Sequence, residues 1–171
     1  MTELSAPGDS PHDFEIATGA FATGVTLVTI ADGREDVGLT VSAFCPLSTR
    51  PPLVSISVTS ESYPAELLTR LDRFAVTVLA AGQRMLAGRF AATGRPGARL
   101  LLDDVPHHRG ATSGALIPDG GLSAMECEVT SRVPAGDHLL VIARVLAVDN
   151  VARRGEPLIR FHRSYEALAR P

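Results

Sequence analysis

Strand-forming runs follow one another along this chain with turns or short helices between them. They are "VTLVTIA" (25–31), "VGLTVSAF" (37–44), "PLVSISV" (52–58), "RFAVTVL" (73–79), "LSAMECEVTSRV" (122–133) and "HLLVIARVLAV" (138–148). Their Val, Ile, Thr and aromatic side chains suit a pleated, half-buried surface better than a helix. Asp32-Gly33 and the "PAGD" tip at Gly136-Asp137 supply turn chemistry. A parallel sheet would need a long crossover, usually a helix, between successive strands. The pattern instead predicts a mainly β chain, an antiparallel β-barrel closed or nearly closed, with a few short helices. No GxGxxG or GxxxxGK[ST] follows a strand.

The helices announce themselves by their starts. Ser10-Pro11 is an N-cap and first-turn pair, with Phe14, Ala17 and Phe21 on one face and Gly24 as the expected stop. Ser62 and Pro64 repeat the signal before "AELLTRL". "GQRMLAGRFA" predicts a helix with Met85, Leu86 and Phe90 inward, and residues 91–120 read as irregular with an apolar knot at Leu100–Leu102. "EPLIRFHRSYEAL" closes the chain as a strand and short tail.

A length of 171 residues suits one domain, which we place at 13–171 behind a flexible N-terminal arm, 1–12. The arm "MTELSAPGDS" has no apolar secretory core, which points to a cytoplasmic protein. A net charge of −3 and few aromatics argue against nucleic acid as a partner. No apolar run reaches the roughly 18 residues of a membrane span. Cys45 and Cys127 sit in strand-like sequence, as buried free thiols would, and no HExxH or CxxC predicts a metal.

Three stretches carry possible chemistry. In "GLTVSAFCPLSTRPPLVSISV" (38–58), Thr40, Ser42, Ala43, Ser48 and Thr49 stand where larger core residues would pack better. They make either a tight connection or a place where something flat and polar-edged meets the backbone. "TSESYPAELL" (59–68) is either simple capping by Ser62 or a phosphate seat at a helix start. In "GDH", His138 is either a solvated side chain beside a turn or a site residue; His107, His108 and His162 show no ligand spacing. The paired acids Asp103-Asp104 and Glu126/Glu128 read as a loop and a strand edge.

Taken in order, "FATGVTLVT", the 38–58 stretch, "RFAVTVL", "RFA" (89–91), "ECEV", "GDHLLVIARV" and "PLIRFHRSY" resemble the flavin reductase family. Those are the small NAD(P)H:flavin oxidoreductases that serve two-component monooxygenases. The resemblance spans most of residues 14–165. It implies an FMN-binding split β-barrel acting as a homodimer, with FMN or FAD as the flavin and NADH or NADPH as co-substrate. By the same resemblance Gly38, Leu39, Thr40, Ser42 and Ala43 line the flavin ring and ribityl chain. Ser57, Val58, Thr59, Ser62 and Tyr63 lie along the phosphate, Arg89 and Phe90 approach from the following helix, and His138, Phe161, His162 and Arg163 border the nicotinamide. His138 is the expected catalytic residue. Tyr63 replaces a basic residue common in relatives, and "RFHRSY" replaces a commoner Gly-containing turn. Arg95, Arg99 and Arg109 are candidates for telling NADPH from NADH. The expected activity is hydride transfer from nicotinamide C4 to flavin N5, supplying reduced flavin to a partner oxygenase. The alternatives are a barrel that keeps its flavin, to act on an organic substrate or only to bind it, and a partner-binding barrel without cofactor.

Overall fold

The computed structural model describes residues 10–152 and 154–168. Residues 1–9 of the expected arm lie outside these, and Pro11 and His12 already belong to a helix. The elements in chain order begin with α1 (Pro11–Gly19), β1 (Thr23–Gly24), β2 (Thr26–Ile30), β3 (Val37–Val41), β4 (Phe44–Thr49) and β5 (Pro52–Thr59). They continue with α2 (Tyr63–Arg70), β6 (Arg73–Val78), α3 (Arg84–Ala91), α4 (Ala98–Leu101), β7 (His107–Arg109) and β8 (Leu116–Pro118). The last four are β9 (Ser123–Ala135), β10 (His138–Val151), β11 (Leu158–Phe161) and β12 (Ser164–Ala167).

Seven strands form one antiparallel sheet in the order β3-β2-β6-β9-β10-β5-β4. β3 and β4 are consecutive in the chain, joined by Ser42 and Ala43 alone, yet they occupy opposite edges. Laid flat, the edges would stand about 29 Å apart at ~4.8 Å per strand. Two linking residues reach only about 10 Å. The sheet must therefore curl until its edges meet, which makes a barrel. No β3–β4 ladder seals it among the described residues, so the barrel is split along that line.

The two larger of three apolar clusters among the described residues hold this shape. Val28 and Ile30 of β2 face the barrel interior with Ile56, Leu68, Phe74, Val76 and Val141. Leu27 faces the other way, onto a second cluster with Leu86, Ala87 and Phe90 of α3, Leu102 and Leu158. Both faces of β2 are thus covered, which is why "VTLVTIA" lacks a polar face. Its threonines are satisfied by carbonyls: Thr26 Oγ1 donates to Val41 O at 2.7 Å, and Thr29 Oγ1 to Leu116 O at 2.6 Å.

Several expectations need correction. α1 ends at Gly19 rather than Gly24, which belongs to β1. Phe14 and Phe21 are 69% and 75% exposed, and no residue of α1 is buried. Met85 also faces solvent, because α3 packs through Leu86, Ala87 and Phe90. The stretch 44–49 is a strand, disguised by Pro46; as an edge strand with a register shift beside that proline, β4 tolerates the missing donor. Cys45 rides on that edge and is exposed, whereas Cys127 is buried and its thiol is pushed up to about 12, burial being the main cause. Residues 91–120 hold α4 and the β7–β8 hairpin. The tail is a hairpin, β11–β12, turned by His162 and Arg163 at φ 45 and 66, left-handed values that favour glycine.

One close approach fixes the top of the split. A Cβ at Gly38 of β3 would lie 2.4 Å from Cε1 of the fully buried Phe90 ring. Gly38→Ala is expected to cost about 1–3 kcal/mol through overpacking, lowering Tm by roughly 2–12 °C. Adding Phe90→Leu should restore part of the loss. A thermal melt unchanged by Gly38→Ala would show that this contact does not constrain the fold.

Candidate functional site

The split creates the site. As an edge strand β3 pairs, among the described residues, only with β2, so one row of its main-chain groups faces the gap rather than a ladder. The start of α2, the end of α3 and the β11–β12 hairpin border the same gap. Together they enclose a cleft of about 370 Å³. Thr40, Ser42, Thr59 and Ser62 bring hydroxyls to its wall, and Phe90 and Tyr165 bring rings. Arg95 and Arg160 bring guanidiniums, and no Asp or Glu is among the lining residues. This is a lining for an anion that also carries a flat apolar body and hydroxyl groups.

Arg95 is the electrostatic centre of the cleft. Its Nε donates to Gly38 O at 2.8 Å and its Nη1 to Ala92 O at 3.2 Å. Burial pushes its pKa below the usual arginine value, yet a guanidinium stays charged. A desolvated cation held only by carbonyl oxygens gains most from an arriving anion. The α2 start contributes less: Pro64 has no N–H, and Ala65 N donates to Ser62 Oγ at 3.3 Å. The capping reading of Ser62 is therefore what the fold uses. Arg160 lies 5.8 Å from the centre of the Tyr165 ring.

Two further hollows adjoin the cleft. One, of about 450 Å³ over the β2–β3 loop, shares Ser62, Pro64 and Arg95 with it and adds Asp32, Glu35 and Tyr63. The other, of about 270 Å³, shares Ser42 and Arg160 and reaches Glu15 and Arg163. The loop beneath the first hollow is locked by charge. Asp36, 1% exposed and at φ 55, receives Arg109 Nη2 at 2.6 Å and Arg99 Nε at 2.9 Å on one oxygen. Burial alone would raise the Asp36 carboxyl, but its two arginine partners outweigh it and hold the group below the ordinary range. Asp32 Oδ1 accepts Arg34 N and Asp36 N, both at 2.9 Å.

The expected residues divide accordingly. Leu39, Thr40, Ser42, Thr59, Ser62 and Phe90 come together in the cleft. Gly38 and Tyr63 line the larger adjoining hollow, and Arg163 the smaller. Val58 points into the barrel core, while Ser57 N donates to Ala43 O at 3.1 Å across the sheet edge. Arg89 is engaged elsewhere, paired through both terminal nitrogens with Asp104, Nη2 to Oδ2 at 2.7 Å. His138 sits opposite Thr59 in the β5–β10 ladder, half-buried, with Nδ1 2.7 Å from Asp137 Oδ1. Phe161 and His162 stand at the exposed hairpin tip, their ring centroids 4.1 Å apart. Arg99 and Arg109 are committed to Asp36, so of the three loop arginines only Arg95 lines the cleft. Arg160 and Tyr165 escaped notice because nothing local in "LIRFHRSYEAL" marks them as lining residues.

Elsewhere, His108 bridges Asp119 at 3.0 Å and Asp149 at 2.9 Å, and Glu126 is buried, accepting Ser113 Oγ at 2.7 Å and Thr112 N at 2.9 Å. Among the described residues, no cluster of three or more His, Cys, Asp or Glu side chains is arranged to hold a metal.

A family model described as a flavin reductase like domain matches residues 18–169. The chain is 34% identical over 158 residues to the reductase component of 4-hydroxyphenylacetate 3-monooxygenase from Thermus thermophilus, covering 92% of this chain and 97% of that one. It is 34% identical over 159 residues to an NADH-dependent FMN reductase of Streptomyces nodosus subsp. asukaensis, covering 93% and 85%. The fold superposes with TM-score 0.87 and 32% identity on the Streptomyces globisporus NADH:FAD oxidoreductase solved with NAD and FAD fragments, covering 98% of each chain.

The locked loop makes a test of its own. Asp36→Asn keeps a residue type that accepts the left-handed backbone and removes only the charge. It should lower stability by about 1–3 kcal/mol at neutral pH, since the freed guanidiniums are half-exposed and partly regain water. The Asp36 carboxyl is depressed in the fold, so its contribution is present above the unfolded value of about 3.9 and is lost as pH falls through the folded value. Melts between pH 7 and pH 3 should therefore converge for the two proteins at acid pH. A constant gap across that range would sink this account.

Proposed function

The chain belongs to the flavin reductase family, and on that footing we propose that it is an NAD(P)H-dependent flavin reductase whose cleft along the barrel split holds the flavin. The observation that carries this is the lining itself: main-chain groups of an edge strand, four hydroxyls, an aromatic side and a desolvated Arg95 bonded to carbonyl oxygens, with no carboxylate in the cleft wall. These features fit FMN or FAD. The β3 edge and Ser42 would meet the polar rim of the ring, Thr40 and Thr59 the ribityl hydroxyls, and Arg95 the phosphate. A flavin held there would supply the hydride acceptor, N5, for C4 of NADH or NADPH.

The protein's own part is positioning. Hydride transfer needs its two atoms about 3–3.5 Å apart, and most of the acceleration comes from holding them so. Oriented main-chain N–H groups also stabilise negative charge where it develops. His138, held by Asp137 beside Thr59, orients the nicotinamide or steadies that charge. Arg160 supplies a second cation to the cleft, while Arg163, paired with Glu15, lines the smaller adjoining hollow. Flavin reduced in this way would serve a partner monooxygenase, in line with the relative named as a monooxygenase reductase component.

We read the working form as a cytoplasmic homodimer. Phe14 and Ile16 on α1 with Phe21, and Leu146, Val148 and Val151 on β10, leave apolar surface that a second copy would cover. Two free thiols, one of them exposed, suit a reducing compartment. Sedimentation should give twice the chain mass, and Phe14→Glu with Ile16→Glu should shift it toward the monomer; a monomeric wild-type protein removes this reading.

Arg95 and His138 separate binding from chemistry. Arg95→Ala should weaken FMN binding about 10- to 150-fold, the loss of one charge-assisted contact, with riboflavin affected less than about threefold. His138→Ala should slow flavin reduction by NADH roughly tenfold to a hundredfold while flavin affinity holds. Fluorescence titration and stopped-flow absorbance read the two effects. A protein that stays yellow through gel filtration, with slow or absent NADH oxidation at 340 nm under added FMN, would favour the retained-flavin alternative instead. Unchanged reduction in His138→Ala removes that residue from the site.

A further inference from the structure

The flavin cleft opens at its Arg95 end into the hollow over the β2–β3 loop, sharing Ser62, Pro64 and Arg95 with it. That hollow, about 450 Å³, exceeds the 370 Å³ of the cleft itself. A flavin mononucleotide with its phosphate at Arg95 would end at the junction and leave the hollow unused.

Its chemistry runs in a definite order. Arg95 stands at the junction, and beyond it lie the carboxylates of Asp32 and Glu35, the guanidinium of Arg34 and the half-exposed ring of Tyr63. A free phosphate there would meet two carboxylates, Asp32 and Glu35, against one guanidinium, Arg34, so this mixed lining suits a group that donates and accepts better than a bare anion. A pyrophosphate at Arg95 followed by a ribose and a flat base suits it. Carboxylates accept from ribose hydroxyls, and aromatic faces stack bases. Asp32 is fixed for such a role: its Oδ1 is tied to two backbone N–H groups, while its Oδ2 has only Tyr63 Oη at 3.5 Å, too long to saturate it.

We infer that the flavin this chain takes is the dinucleotide FAD, and that the hollow between the β2–β3 loop and Tyr63 is the subsite for its adenylate half. The inference rests on the reductase reading and narrows its substrate. The nicotinamide dinucleotide carries the same adenylate group, so the test must tell the two sources apart.

Flavin-free protein is titrated with FAD and with FMN by flavin fluorescence, and with 5′-AMP as competitor. FAD should bind at least about tenfold more tightly than FMN, within the range a stacked base and one or two hydrogen bonds supply. Tyr63→Ala should bring the FAD-to-FMN affinity ratio down about 5- to 150-fold, the scale of one base–aromatic stack. Tyr63→Phe should keep most of the ratio, and Asp32→Asn should lower it in part. In the wild-type protein 5′-AMP should compete with FAD. Equal affinities for FAD and FMN, or a ratio unmoved by Tyr63→Ala, overturn the subsite while leaving the reductase reading standing. If 5′-AMP raises the KM for NADH and leaves FAD binding alone, the hollow belongs to the nicotinamide dinucleotide and the inference fails. No binding of any flavin overturns both readings together.

Discussion

Two residues, Ser42 and Ala43, carry the chain from one edge of the seven-stranded sheet to the other. Their short reach forces the curl, and the absence of a ladder between β3 and β4 leaves the seam open. Every feature of the candidate site depends on that seam. The β3 edge keeps main-chain groups free of a ladder partner, and the small side chains at the link keep the approach unobstructed. α2, α3 and the terminal hairpin close around the seam because their apolar faces need the barrel wall to cover them.

Charge is distributed to match. Arginines around the seam are mostly spent on local carboxylates: Arg89 on Asp104, Arg99 and Arg109 on Asp36, Arg163 on Glu15. These pairs fix loops and the α1–hairpin contact, and exposed pairs of this kind add little net stability. Arg95 is different. It is partly desolvated and donates to carbonyl oxygens, so its charge remains for a ligand to answer. Tyr63 and Arg95, about thirty residues apart in the chain, line the same hollow beside the cleft.

Legibility varied with the range of the interaction that fixes each feature. Strands β2, β3, β5, β6, β9 and β10 follow from local pattern, α2 from the Ser62 cap and α1 from Pro11 in its first turn, though the Ser10 side chain makes no capping bond. β4 hid behind Pro46, because only its edge position makes a proline there tolerable. Exposed Phe14, Phe21 and Met85 defeat a reading by periodicity, which marks an apolar face without saying whether this chain covers it. Gly38 shows the converse: small because the Phe90 ring lies against it, a contact between residues more than fifty apart.

The sequence by itself determined the strand succession, the turn at Gly136-Asp137, the small-residue link and, through its family resemblance, the chemistry to expect. Those are matters of backbone preference and side-chain size, which neighbours in the chain already express. Only the tertiary structure decided that Arg95, Arg160 and Tyr165 share one cleft, that Arg89 is turned away to Asp104, and that a second hollow opens beyond Ser62. Such choices rest on contacts between distant segments and on which charges are already neutralised, and no local pattern encodes either.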